Sequence, residues 1–136
     1  MKSVFILCLA CSVMSTTYAA SCSVGNVTEP KMMLASYYHS QSATSFSVSC
    51  DRGYSILFSS MNLRSADGTS YVSNGAYKLR TRLTISGPVE NLWNVPLVAN
   101  TTGTNRYIIA VHLEEQPSIR TPAGVYRDII YVNLSF

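Results

Sequence analysis

Between Tyr77 and Ile85 the chain reads Tyr-Lys-Leu-Arg-Thr-Arg-Leu-Thr-Ile, with Lys78, Arg80 and Arg82 at every second position. A period of two puts successive side chains on opposite faces of an extended strand, here with the three cations outward. The same period recurs at Thr44–Cys50, where Phe46, Val48 and Cys50 share a face. It recurs again at the C-terminal end, Thr121–Phe136. There, after a turn-like Pro122-Ala123-Gly124, Tyr126 is followed at even spacing by Ile130, Val132, Leu134 and Phe136. Tyr54–Met61 is another short apolar run, and Tyr107–Leu113 is apolar on both faces, as a central strand is. Turn signals divide these segments: Asp51-Arg52-Gly53, Ala66-Asp67-Gly68, Asn74-Gly75, Ser86-Gly87-Pro88 and Thr102-Gly103. No long stretch has a helical period. Short strands punctuated by turns predict an all-β sandwich or barrel.

Six strands are predicted: Cys22–Thr28, Thr44–Cys50, Tyr54–Met61, Tyr77–Ile85, Tyr107–Glu114 and Val125–Phe136, with Met32–Tyr37 as a split part of the first. An immunoglobulin-like sandwich needs about seven. The count falls short, and it does so at the C-terminal end.

The first residues read differently. Lys2 is followed by an apolar stretch, Val4 to Cys11, too short to span a bilayer, and then by the small residues Ser15 to Ala20. That is the form of a secretory signal peptide, residues 1–19, cut after Ala19 to leave a single domain, residues 20–136. A lipoprotein leader acylated at Cys11 is the rival reading, but Cys8 stands where that signal wants an aliphatic residue. No later segment is apolar enough for a membrane-spanning helix, so the chain is not expected to be membrane-embedded. The formal charge is +3, or +2 once Lys2 has left, and no Lys/Arg run marks a nucleic-acid partner.

Secretion decides how the cysteines read. Cys8 and Cys11 leave with the leader, and Cys22 and Cys50 remain as a pair in an oxidising compartment. One disulfide between them closes a loop of about thirty residues, a stabilisation of about 3–4 kcal/mol in the chain-entropy view. A metal site would need further ligands, and only His39 and His112 are on offer, with no metal-binding spacing. No cofactor is expected.

Catalytic groups do not assemble in the sequence. There is no G-x-S-x-G. His112 falls mid-strand on the face opposite Val111, and Glu114-Glu115 point to opposite faces of a strand. Asp128, close to Tyr126, reads as a corner constraint rather than a base. Tyr37-Tyr38-His39 could stack on sugar rings or simply close the edge of a sandwich. No enzyme is expected.

The ending Ala123-Gly124-Val125-Tyr126-Arg127-Asp128, followed by alternating aliphatics to Phe136, resembles the AG-x-Y-x-D ending of spore-coat-protein-U-like domains, which include the subunits of archaic chaperone–usher pili. The leader, Cys22 near the mature start, Cys50 closing a strand and Trp93 before the penultimate strand agree with it. The resemblance implies an incomplete immunoglobulin-like β-sandwich that lacks its last strand. It implies a secreted structural or adhesive pilus subunit that passes through the periplasm to a fimbrium on the cell surface. Its implied partners are a periplasmic pilus chaperone, an outer-membrane usher and other pilus subunits. A strand from a partner would enter a groove lined by Ile130, Val132, Leu134 and Phe136, with Cys22 and Val24 near its other side. Because only Ala20 and Ser21 would precede Cys22, the subunit is expected to accept a strand without donating one, as at a fibre tip. The competing functional reading is a self-standing secreted β-sandwich that binds carbohydrate.

Overall fold

The structure, a computed structural model, describes residues 21–100 and 102–136. The predicted leader lies outside the described residues. Among the described residues there are eight strands: β1 (Cys22–Gly25), β2 (Gln41–Cys50), β3 (Tyr54–Ser60), β4 (Thr69–Asn74), β5 (Tyr77–Ser86), β6 (Leu97–Ala99), β7 (Gly103–Leu113) and β8 (Ile130–Ser135). They form a five-stranded sheet, ordered β1-β2-β7-β5-β4, and a three-stranded sheet, ordered β6-β3-β8. Every pairing is antiparallel. Laying β1-β2-β7-β5 on one side and β3-β8 on the other is the immunoglobulin arrangement, and among the described residues no strand pairs with the outer edge of β8.

Alternation carries through to packing. In β5, Leu79, Leu83 and Ile85 are buried while Lys78 and Arg80 are exposed. β7 is central, as its apolar character predicts, with Ile109 paired to Thr44 on one side and Ile85 on the other. Its outer face is less covered than expected, because Ile108 is exposed. Between the sheets lie Phe46, Phe58, Trp93 and Tyr107, whose rings contact one another at 5.4–6.3 Å. The Tyr54 and Tyr107 hydroxyls share a 2.5 Å hydrogen bond, and Asn105 Nδ2 donates to Tyr54. Burial and that bond raise the Tyr107 pKa well above the usual phenol range.

Several predicted boundaries are corrected. The first strand stops at Gly25, because Asn26 takes a left-handed conformation (φ 55°) that ends the pairing. Met32–Tyr37 is not a strand; Met32 and Leu34 pack against the core from a loop. The last strand is shorter than Val125–Phe136, because ahead of Ile130 the chain meets β4 through an isolated bridge from Arg127 to Ser73 and the Ser70 hydrogen bond to Asp128. β4 and β6 were not predicted. β4 precedes the Asn74-Gly75 turn as the other arm of a hairpin, and β6 is three residues in a long connection. Gly68, in the turn before β4, adopts φ 97°, and a Cβ there would meet the Leu83 carbonyl oxygen at 2.0 Å.

Candidate functional site

The two sheets do not match in width, and the mismatch leaves an open edge. On β3, Ile56 and Phe58 are both 0 % exposed. Their partners on β8, Leu134 and Val132, face the same side but are only partly buried, as is Ile130 opposite Ser60. The first sheet shows the same gradient. Val48 of β2 is 0 % exposed, whereas Val24, its direct partner on β1 and therefore on the same inward face, is 51 % exposed. Apolar cover thus fades towards β8 in one sheet and towards β1 in the other.

Ladder phase shows what the edge offers. The Met61 N–H donates to the Ile129 carbonyl within the β3–β8 register, so the odd-numbered residues of β8 bond to β3. The backbone groups of Ile130, Val132 and Leu134 consequently point away from the sheet. The Asp51 N–H donates to Ser21 in the β1–β2 register, which likewise turns the backbone of Cys22 and Val24 outward. An apolar strip flanked by peptide groups that pair with no other described strand is a template for another strand.

The structure places the predicted residues as follows. Ile130, Val132 and Leu134 line the strip and pack against the core, as does Cys22. Val24 stands exposed on the inward face of β1. Phe136 lies one residue beyond β8 at 59 % exposure and is not packed against the core. Cys22 and Cys50 form a disulfide that ties β1 to β2 across directly opposed positions.

A polar clamp that sequence reasoning only half saw fixes the start of β8. Asp128 accepts hydrogen bonds from the N–H groups of Asn62 (3.0 Å) and Ile129 (2.9 Å) and from the Ser70 hydroxyl (2.8 Å). Asn62 Nδ2 in turn donates to the carbonyls of Tyr71 and Arg127 and to Ser73 Oγ. Asp128 is therefore a structural corner. Four residues from Pro122, the Tyr126 hydroxyl donates to its carbonyl at 2.8 Å, bracing the connection into β8 in the manner of a tyrosine corner. Asn62 gives no signal in the sequence, being a loop amide whose partners come from two other segments, β4 and the residues ahead of β8.

The titratable residues do not converge on one substrate position. His112, expected mid-strand, is the last residue but one of β7, opposite Gln41 and Arg82. His39 is stacked against Tyr38 at 3.7 Å. Glu114 reaches Arg82 and Glu115 accepts from the Arg80 N–H, so the acidic pair serves separate partners. Among the described residues, no group of three or more His, Cys, Asp or Glu side chains could hold a metal ion, and no helix is long and apolar enough to cross a membrane.

No family model and no curated protein matches the chain. Solved structures do. One match is to a chain of the crystal structure of the CsuC–CsuE chaperone–tip adhesion subunit pre-assembly complex from archaic chaperone–usher Csu pili of Acinetobacter baumannii. It covers 87 % of this chain and 40 % of that one, with a TM-score of 0.52 and 14 % identity. Another is to a chaperone–tip adhesin complex concerned with CFA/I fimbriae biogenesis, covering 85 % of this chain and 41 % of that one, with a TM-score of 0.52 and 12 % identity. This chain spans about two fifths of the length of the solved chains it matches. At these identities the likeness is one of fold, and it is to components of pilus assemblies rather than to enzymes.

Proposed function

We propose that this chain is a structural or adhesive subunit of a chaperone–usher pilus, of the spore-coat-protein-U-like kind. It is exported to the periplasm and completed by a strand from another polypeptide. A periplasmic chaperone holds the edge first, and a neighbouring subunit replaces it at an outer-membrane usher. The observation that carries this reading is the open edge itself: aliphatic side chains half-covered on β8, Val24 uncovered on β1, and the outward backbone groups of both strands. The fold shared with chaperone–adhesin assemblies supports it. Left empty, such an edge invites aggregation.

The test is strand supply. A synthetic peptide of alternating aliphatic and polar residues, long enough to span Ile130–Ser135, is added to the secreted chain. At a hundredfold excess over its Kd, a ligand of the folded state alone stabilises by about 2.7 kcal/mol, a rise in thermal midpoint on the order of 10 °C for a domain of this size. A scrambled peptide without alternation should give no rise. If the unsupplemented chain is a stable monomer indifferent to both peptides, the edge is not an acceptor and the reading falls.

A further inference from the structure

Alternation turns the odd-numbered residues of β4 and the even-numbered residues of β5 outward, since Ser70, Leu79, Thr81 and Leu83 are buried. Opposed positions share a face, so on the outside Tyr71 stands beside Arg80, Ser73 beside Lys78 and Thr69 beside Arg82. The bridge between Ser73 and Arg127 brings the Arg127 side chain to the same face. Arg64, in the loop before β4, reaches over Tyr71: its guanidinium carbon lies 5.6 Å from the ring centre, and the Lys78 ammonium lies 5.9 Å from it. Five of the chain's 10 Lys and Arg residues, Arg64, Lys78, Arg80, Arg82 and Arg127, thus gather at one corner of the larger sheet.

The acids of this corner serve two of the five. Arg82 lies 3.6 Å from Asp67 and 3.3 Å from Glu114. Glu115 Oε1 accepts the Arg80 N–H at 2.9 Å. Among the described residues no carboxylate comes within ion-pair distance of Arg64, Lys78 or Arg127, and all three are exposed. A ring face attracts a cation without neutralising it. The two charges held at Tyr71 therefore repel each other, and Arg127, opposite Ser73, adds a third. An anion laid across them relieves that repulsion.

We propose that this corner binds a linear sulfated polysaccharide. Tyr71 and Ser73, around which the three unpaired cations stand, are two residues apart, about 7 Å along a strand. Three cations over so short a span match closely set anions. A polyuronate carries one carboxylate per ring, whereas a polysulfated chain carries two or more anionic groups on a repeat. The guanidinium forks of Arg64 and Arg127 suit two oxygens of one sulfate group, as they suit a phosphate, and Lys78 adds a point charge. Nucleic acid fits this face less well. A single strand stacks its bases on free aromatic faces, and the ring here, Tyr71, is flanked by cations. A duplex is stiff and curves away from a flat sheet, so few of its phosphates reach the corner. The cations face outward, whereas the acceptor strip faces inward, so the proposal holds whether or not the open edge takes a strand.

Calorimetric titration of the full chain, made in an oxidising compartment, tests this with heparin fragments, polygalacturonate, dextran and a DNA duplex at low ionic strength. Heparin should bind roughly tenfold tighter than polygalacturonate or DNA, and dextran should not bind. Heparin binding should weaken as salt is added, because cations that contact a polyanion release its counterions. Arg64→Gln, Lys78→Gln and Arg127→Gln should each lower heparin affinity about fivefold and flatten the log–log salt slope by about one. Arg52→Gln is the control. Arg52 follows Cys50 at one end of β2, whereas the corner lies towards the other end, where Gln41 meets His112 and His112 meets Arg82. It loses the same charge and should keep the parent affinity. All four side chains are exposed, so the parent thermal midpoint should be retained, and three independent variants keep the reading if one misfolds. Heparin bound no tighter than dextran, polygalacturonate or DNA binding as well as heparin, no loss in the three corner variants, or an equal loss in Arg52→Gln would each overturn the proposal.

Discussion

Replacing Val132 with Asp separates an acceptor edge from an ordinary sheet margin. Val132 is partly buried beside the fully buried Phe58. Complete burial of a valine side chain is worth about 1.5–3 kcal/mol, so its partial burial contributes about 1 kcal/mol in the free chain. In that state an Asp at the same place keeps access to water, and the variant should fold with a modest loss. A strand laid against β8 closes off that access. Enclosing an unpaired carboxylate then costs several kcal/mol, more than the roughly 2.7 kcal/mol that a hundredfold excess of peptide supplies. Val132→Asp should therefore lower the urea midpoint slightly and abolish its rise on adding the alternating peptide. Tyr131→Asp is the matched control: Tyr131 is 44 % exposed on the outer face of the same strand. It should keep the full peptide response. An undiminished response in Val132→Asp, or an equal loss in Tyr131→Asp, would refute the assignment of the inner face as the acceptor.

Three further outcomes are expected. Intact-mass measurement of the protein made in an oxidising compartment should show two thiols released only on reduction, because Cys22 and Cys50 are bonded; free alkylation without reductant would contradict this. Asp67 accepts hydrogen bonds from the Ser65 hydroxyl and from the Thr69 N–H and hydroxyl, and Arg82 lies 3.6 Å away, so its pKa falls from 3.8 to about 2. A carboxyl depressed on folding adds stability above its ordinary value and loses it as the pH drops towards the folded value; an acid titration of unfolding should therefore be flatter between pH 3.8 and about 2 in Asp67→Asn. Gly68→Ala should destabilise by several kcal/mol in chemical denaturation, because a Cβ would strike the Leu83 carbonyl oxygen from a left-handed backbone.

Legibility in the sequence followed the strength of alternation. β5 and β7 were plain because their buried positions are large aliphatics at every second residue, and the inner face of β8 was plain for the same reason. β4 was missed because its inward residues include Ser70, buried by hydrogen bonds to Ser60 and Asp128 rather than by its own apolarity. The Tyr-Val pair ahead of Asn74-Gly75 was the available signal. β6 is too short to show a period. The strand count was no guide to the open edge, since it fell short only because β4 and β6 were missed; the alternating aliphatics of β8 pointed to it, yet the exposure of Val24 could not be read, since it depends on how far the second sheet extends.

The pairing registers also bear on how quickly this chain can reach its native state. The β4–β5 hairpin, closing at Asn74 and Tyr77, is the one strand pair joined by a tight turn. The pairs β2–β7 and β3–β8 instead join residues on the order of sixty to seventy positions apart, such as Phe46 with Tyr107 and Phe58 with Val132. Loop closure on that scale precedes any stabilising contact, so domains of this topology fold on the millisecond-to-second range rather than in microseconds. β8 is the last of the described strands in chain order, and its pairing with β3 is among those that must wait for such a closure. A strand delivered from outside would therefore meet a chain whose smaller sheet is still forming. Its first effect would be kinetic, shortening the time during which the aliphatic strip of β8 is free to find another copy of itself.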